Sequence, residues 1–229
     1  LRAEAQTQEV CVPFGAYAGS HSHLDRLGVQ IFPWSTDPGT PLYGVDARTT
    51  WYQQTAAHNV LVVDGKSQTK CGGKLVGWNT APGSTKLRLE SDTLYPDVRT
   101  SRELTLTNGV FKDSFSVEAE HEHAFDWLMH VDGECRFDNV IGDAEVKLGE
   151  GPYEFLARMA HRDAVQLFQF DLRHADKTYR ITLASETRFD VIIARSPAHV
   201  ATPTQPRQTI FARARARRIN LVATSEMVA

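Results

Sequence analysis

Residues 101–120, SRELTLTNGVFKDSFSVEAE, decide the fold. Leu104 and Leu106 alternate with polar residues, Asn108-Gly109 supplies a two-residue turn that tolerates positive φ, and Phe111, Phe115 and Val117 share one face on the return. This is the pattern of an antiparallel hairpin with one buried face. The next run, HAFDWLMHV (123–131), keeps the same period. It sets Phe125, Trp127, Met129 and Val131 on one side and Asp126, Leu128 and His130 on the other.

Outward from this hairpin the period of two continues. NVLVVDG (59–65), TKLRLES (85–91), AVQLFQFDL (164–172), KTYRITLAS (177–185), RFDVIIARS (188–196) and QTIFARARARRINLVAT (208–224) read as strands between clusters of Gly, Pro, Asn and Asp. Only the first ten residues hint at a helical period, as the end of a helix or a linker. Many short-spaced strands without helices predict an all-β chain, a two-layer antiparallel β-sandwich.

The totals fit one domain. The 229 residues can bury a sizeable core, and 41% hydrophobic with 23% charged residues is ordinary globular composition. A formal charge of −3 gives no global attraction for nucleic acid or anionic membrane, so affinity for an acidic ligand must be local. No run of 18 apolar residues provides a membrane-spanning helix. The chain starts at Leu1 with neither a Met nor a signal-like segment, and the expectation is a cut end. Residues 1–18 are then a linker or the end of a preceding domain, and 19–229 the sandwich; the compartment stays open. Cys11, Cys71 and Cys135 are odd in number and widely spaced, which argues against a disulfide framework or a thiolate metal site.

The chemistry concentrates in residues 19–68. His21 and His23 are separated by one residue, and on an extended backbone both rings would face one site. Asp37 opens an Asp-Pro-Gly-Thr bend, and His58 precedes the apolar run NVLVVDG. Two imidazoles and a carboxylate form a normal Zn²⁺ set with a fourth position left for water or substrate. Spacing alone leaves a structural polar cluster, with Asp37 in a simple Asx-turn, as an equal alternative.

The same segment resembles the start of the C-terminal domain of the heparinase II/III-like polysaccharide lyases, and is most similar to their oligoalginate lyase branch. The matching pieces are Gly19-Ser20-His21-Ser22-His23-Leu24-Asp25, Asp37-Pro38-Gly39-Thr40, Tyr43-Gly44, Trp51-Tyr52 with Gln54-Thr55, and Ala57-His58-Asn59 running into Val62-Val63-Asp64-Gly65. Ser20 and Ser22 stand where glycines often flank the first histidine. The resemblance implies a lyase made of an α/α toroid followed by an antiparallel β-sandwich, with the active site in the cleft between them. It implies zinc held by His23, Asp37 and His58, His21 facing the substrate, and Tyr43 near an active-site tyrosine. The implied substrate is an acidic polysaccharide or oligosaccharide, and the implied partner is the chain's own N-terminal toroid.

Such an enzyme removes the C5 proton of a uronate and protonates the departing O4, steps suited to His and Tyr. This needs no activated water, so the zinc is expected to pin the loop carrying His21. Other features carry less. Arg213, Arg215 and Arg217 alternate on a late strand and read as a solvated or edge strand guarded by charge. His121, His123 and His130 read as sheet surface; Trp34, Trp51 and Trp78 fit packing as well as sugar stacking. Two other functions compete. A non-catalytic carbohydrate-binding or structural sandwich needs no metal trio. A cupin-like metal enzyme would use His21-x-His23, but residues 24–28 lack the glutamate such sites take.

Overall fold

The computed structural model describes residues 8–228. Twelve strands form: β1 Glu9–Cys11, β2 Gln30–Phe32, β3 Leu61–Val63, β4 Lys74–Ala81, β5 Ser84–Tyr95, β6 Val98–Thr107, β7 Val110–Val131, β8 Glu134–Phe137, β9 Ile141–Lys147, β10 Ala157–His174, β11 Lys177–Ser196 and β12 Arg207–Met227. The helical segments are single turns at Arg48–Tyr52, Thr55–Ala57 and Gly151–Phe155. The class is all-β, a two-layer antiparallel sandwich. The main hydrogen-bonded path runs β4-β5-β6-β7-β12-β11-β10-β8, with β3 added to β7 and β9 to β10.

The β6–β7 hairpin forms as its sequence dictates: Thr107 pairs with Val110 across Asn108 (φ +49°) and Gly109 (φ +82°). Positive φ at both turn residues matches the right-handed twist of the flanking strands. Runs that read as separate strands are continuous. β7 takes in both the return of the hairpin and HAFDWLMHV, and β11 joins KTYRITLAS to RFDVIIARS. Register shifts at Ala216/Arg218, Ser185/Asp190 and Arg162/Val165 let the long strands bend in mid-course around one core. That core unites Leu104, Phe111 and Phe115 with Phe125, Trp127, Tyr179, Ile181, Phe189, Val191 and Leu221.

A second apolar cluster lies on the other face of the C-terminal half of β7. Leu128, Ile192 and Phe211 are covered there by Trp51, Ala56, Ala57, Tyr153 and Leu156 from the helical turns. The side of β7 opposite the main core is therefore buried as well: Asp126 and Leu128 lie inside, and so does His130, which read as sheet surface. Asp126 is satisfied by Arg213, whose Nε and Nη2 donate at 2.6 and 2.8 Å, and by the Tyr153 hydroxyl at 2.5 Å. Strand β12 runs between β7 and β11, so the arginine strand is central and not an edge; Arg215 and Arg217 are solvated. Among the tryptophans, Trp34 and Trp51 are core and Trp78 is exposed.

At the N-terminus, β1 pairs with β2 and Val10 joins the core. Residues 9–11 are thus strand rather than helix end; residues 1–7 of that stretch lie outside the described residues.

Candidate functional site

Three segments converge ahead of β3. The loop 18–24 is tied to the turn at Arg48–Tyr52, since Leu24 N–H donates to the Gln53 carbonyl at 2.9 Å and Gln53 Nε2 to the Ser20 carbonyl at 2.8 Å. Asp37 does form the Asx-turn that its sequence foretold: Gly39 N–H donates to Oδ1 at 2.8 Å, and Gly39 sits at φ +82°. That leaves Oδ2 free to face the imidazoles, 3.2 Å from His58 Nδ1 and 4.0 Å from His23 Nδ1. The structural and the ligating roles of Asp37 are thus compatible, each using one oxygen. Ligand atoms of His23, Asp37 and His58 all lie within 4.8 Å of one another.

The hydrogen bonds around the trio fix its chemistry. His58 Nε2 contacts the Tyr52 carbonyl at 3.1 Å. A carbonyl only accepts, so Nε2 carries the hydrogen and Nδ1 is the atom turned to Asp37. His23 Nε2 meets the Thr40 hydroxyl at 2.9 Å, which again turns Nδ1 toward the carboxylate. Two imidazole nitrogens and a carboxylate oxygen therefore point into one space, each ring braced from behind in the manner of metal-binding histidines. Only a proton or a cation relieves such a convergence of acceptors. Burial opposes charge on His58, but the hydrogen bond and charge of Asp37 outweigh it and raise its pKa. Burial also opposes ionisation of Asp37, yet His58 and the Gly39 amide hold its pKa well below the carboxylate range. His23 is lowered by burial and by the charge of His58, with Arg48 adding to the same effect.

His21 and His23 do not share a face. A turn closed by Ser22 N–H to the Gly19 carbonyl (2.9 Å) separates them, so the alternation of an extended backbone does not apply. His21 is exposed and meets Tyr43, whose hydroxyl lies 3.1 Å from Nε2 with the two rings edge to face at 6.0 Å. The two residues read from sequence as catalytic are thus hydrogen-bonded to each other. Arg48 completes the group, its guanidinium carbon 4.2 Å from the centroid of the Tyr43 ring. Nothing in the local pattern marks Arg48, because burial of an arginine depends on what folds over it.

Behind the site, Asn59 ties β2, β3 and β7 together. Its Nδ2 donates to the Val29 carbonyl and its Oδ1 accepts from His130 N–H, both at 2.7 Å. His130 is buried, bonded to the Thr209 hydroxyl at 2.8 Å and the Ala56 carbonyl at 3.0 Å. Burial and the charge of Arg207 push its pKa well below the ordinary value, so it is a neutral core residue. His121 is exposed, and half-buried His123 pairs with Asp64 at 2.7 Å.

Residues 9–220 match the heparinase II/III-like C-terminal domain. The chain belongs to that family. Two solved relatives superpose over nearly all of this heparinase II/III-like domain. A heparinase III gene product gives a TM-score of 0.73 at 14% identity, covering 96% of this chain and 33% of its own. Heparan sulfate lyase HepC from Pedobacter heparinus gives 0.68 at 15% identity, covering 95% and 32%. At such identities the likeness establishes the fold alone. The chain spans about a third of the length of these solved proteins. No curated protein matches the chain by sequence.

Proposed function

We propose that the chain is the β-sandwich part of a polysaccharide lyase that cleaves uronate-containing glycans, alginate or heparin-like, by β-elimination. The observation that carries this reading is the Tyr43–His21 hydrogen bond at 3.1 Å, two residues along the chain from a metal-competent trio. In the elimination the C5–H and C4–O4 bonds break and the electron pair of C5–H becomes the C4=C5 double bond. The freed proton is taken by a base, and a proton is returned to the departing O4, so no water is consumed. A hydrogen-bonded imidazole and phenol suit that exchange, because each can both give and receive a proton.

His21 and Tyr43 are both open to solvent, with Tyr43 69% exposed, as a pair that meets a polymer from outside must be. The remaining catalytic groups belong to the α/α toroid that the family resemblance implies. A zinc ion held by His23, Asp37 and His58 would supply a cross-link, fixing the loop of His21 to the start of β3. Within the family, such a holding role fits an elimination that uses no activated water.

The test is the near-ultraviolet absorbance of a 4,5-unsaturated product from alginate and heparin-like oligosaccharides. The chain joined to the sequence upstream of Leu1 should form product, and the 229-residue chain alone should be nearly inactive. His21→Ala should abolish turnover in the joined protein while metal content and melting temperature stay unchanged. Full turnover by the isolated chain, or by the His21→Ala protein, would overturn the assignment.

A further inference from the structure

Arg48 is only 7% exposed, and among the described residues no carboxylate pairs with it. Its one side-chain hydrogen bond there runs from Nη1 to the Pro41 carbonyl. Its guanidinium stacks on Tyr43, which gives a partial electrostatic partner but accepts none of the in-plane N–H groups. A largely buried cation without a counter-charge is costly and is ordinarily matched by an anion. Among the described residues every other arginine of comparable burial has one: Arg26 meets Asp25 at 2.7 Å, Arg102 meets Asp113 at 2.6 Å and Arg207 meets Asp132 at 2.7 Å. Arg48 alone among these is left open, and it sits against Tyr43, itself bonded to His21.

We propose that Arg48 is a substrate-binding residue that receives a carboxylate of the acidic glycan beside the Tyr43–His21 pair. The inference rests on the glycan reading above and gives it a specific anchor. The planar guanidinium offers a fork of N–H donors that matches two carboxylate oxygens. The stack on Tyr43 holds that fork in one plane and fixes the ring in turn, so carboxylate capture and Tyr43 placement share one side chain. A neutral sugar has no group that satisfies the charge.

The experiment uses the 229-residue chain and follows side-chain NMR signals of His21 and Tyr43 during titration with sodium glucuronate, glucose and sodium sulfate. Glucuronate should shift both residues and glucose should not. Arg48→Gln should weaken glucuronate binding about 10- to 100-fold, the range that one charge-assisted contact supports. Arg48→Lys keeps the charge but loses the fork, so it should bind with intermediate affinity, and it serves as the informative variant if Arg48→Gln fails to fold. Glucuronate affinity unchanged in either variant, an equal response to glucose, or a preference for sulfate would overturn the proposal. In the protein joined to its upstream sequence, Arg48→Lys should raise KM for the glycan. Absence of product from the unsubstituted joined protein would defeat the lyase reading itself, while the glucuronate titration still decides Arg48.

Discussion

Removing zinc from the chain should lower its melting temperature, and the response should vanish in His23→Ala, Asp37→Ala and His58→Ala. The three ligand atoms lie within 4.8 Å but come from the loop after Gly19, the bend at Asp37 and the entry to β3, so a bound ion links segments that unfolding separates. A ligand that binds only the native state adds about 2.7 kcal/mol at a hundredfold excess over Kd. For a protein of 229 residues each kcal/mol moves the transition by about 2–4 °C, which makes the expected shift about 5–11 °C. Scanning calorimetry with zinc and with a chelator reads it, and elemental analysis should find about one zinc per chain, as for a single three-ligand site.

The pH dependence separates the metal from a bare ion pair. His58 has a raised pKa in the metal-free fold, so its contribution is complete below the ordinary imidazole value of 6.5 and fades as pH rises through the folded value. Asp37 has a lowered pKa, so its contribution is complete above 3.8 and fades only as pH falls toward its folded value. The metal-free pair therefore stabilises most between those ordinary values. Zinc requires the imidazoles deprotonated, so its stabilisation grows as pH rises. If the chelator causes no shift at pH 8 and no metal is found in the protein, the trio is only a hydrogen-bonded ion pair and the cross-link reasoning fails.

Two further perturbations test the framework behind the site. Asp113→Ala leaves Arg102, fully buried, without its counter-charge and should cost about 3–5 kcal/mol in urea unfolding; the double variant Arg102→Met/Asp113→Ala should recover much of that loss. Asn59→Ala strips partners from the buried Val29 carbonyl and His130 N–H and should cost about 2–6 kcal/mol, at about 1–3 for each group. A loss within about 0.5 kcal/mol, the size of an ordinary surface substitution, would mean that other groups replace these bonds.

Much of this was legible in the chain itself, because the deciding information is local. Alternation around Asn108-Gly109 specifies a hairpin whatever else surrounds it, and the returning face of Phe111, Phe115 and Val117 is the core face. The Asp37 bend closes through an amide two residues away. His23, Asp37 and His58 could be named together because their residue types suit one ligand set, and the fold brings them within reach of each other.

What the tertiary structure alone decided is which faces are covered and which charges are matched. HAFDWLMHV shows one apolar side in sequence, yet its polar side is buried as well, because Trp51, Tyr153 and Leu156 arrive on it from distant turns. His130 read as surface for that reason, and the Arg213 strand read as a solvated or edge strand because its neighbours β7 and β11 are far along the chain. His21 and His23 parted because one backbone turn cancels the two-residue period. Arg48 had no signature at all. Alternation is a property of consecutive residues, whereas burial, pairing and an unmatched charge are properties of what packs against them from elsewhere in the chain.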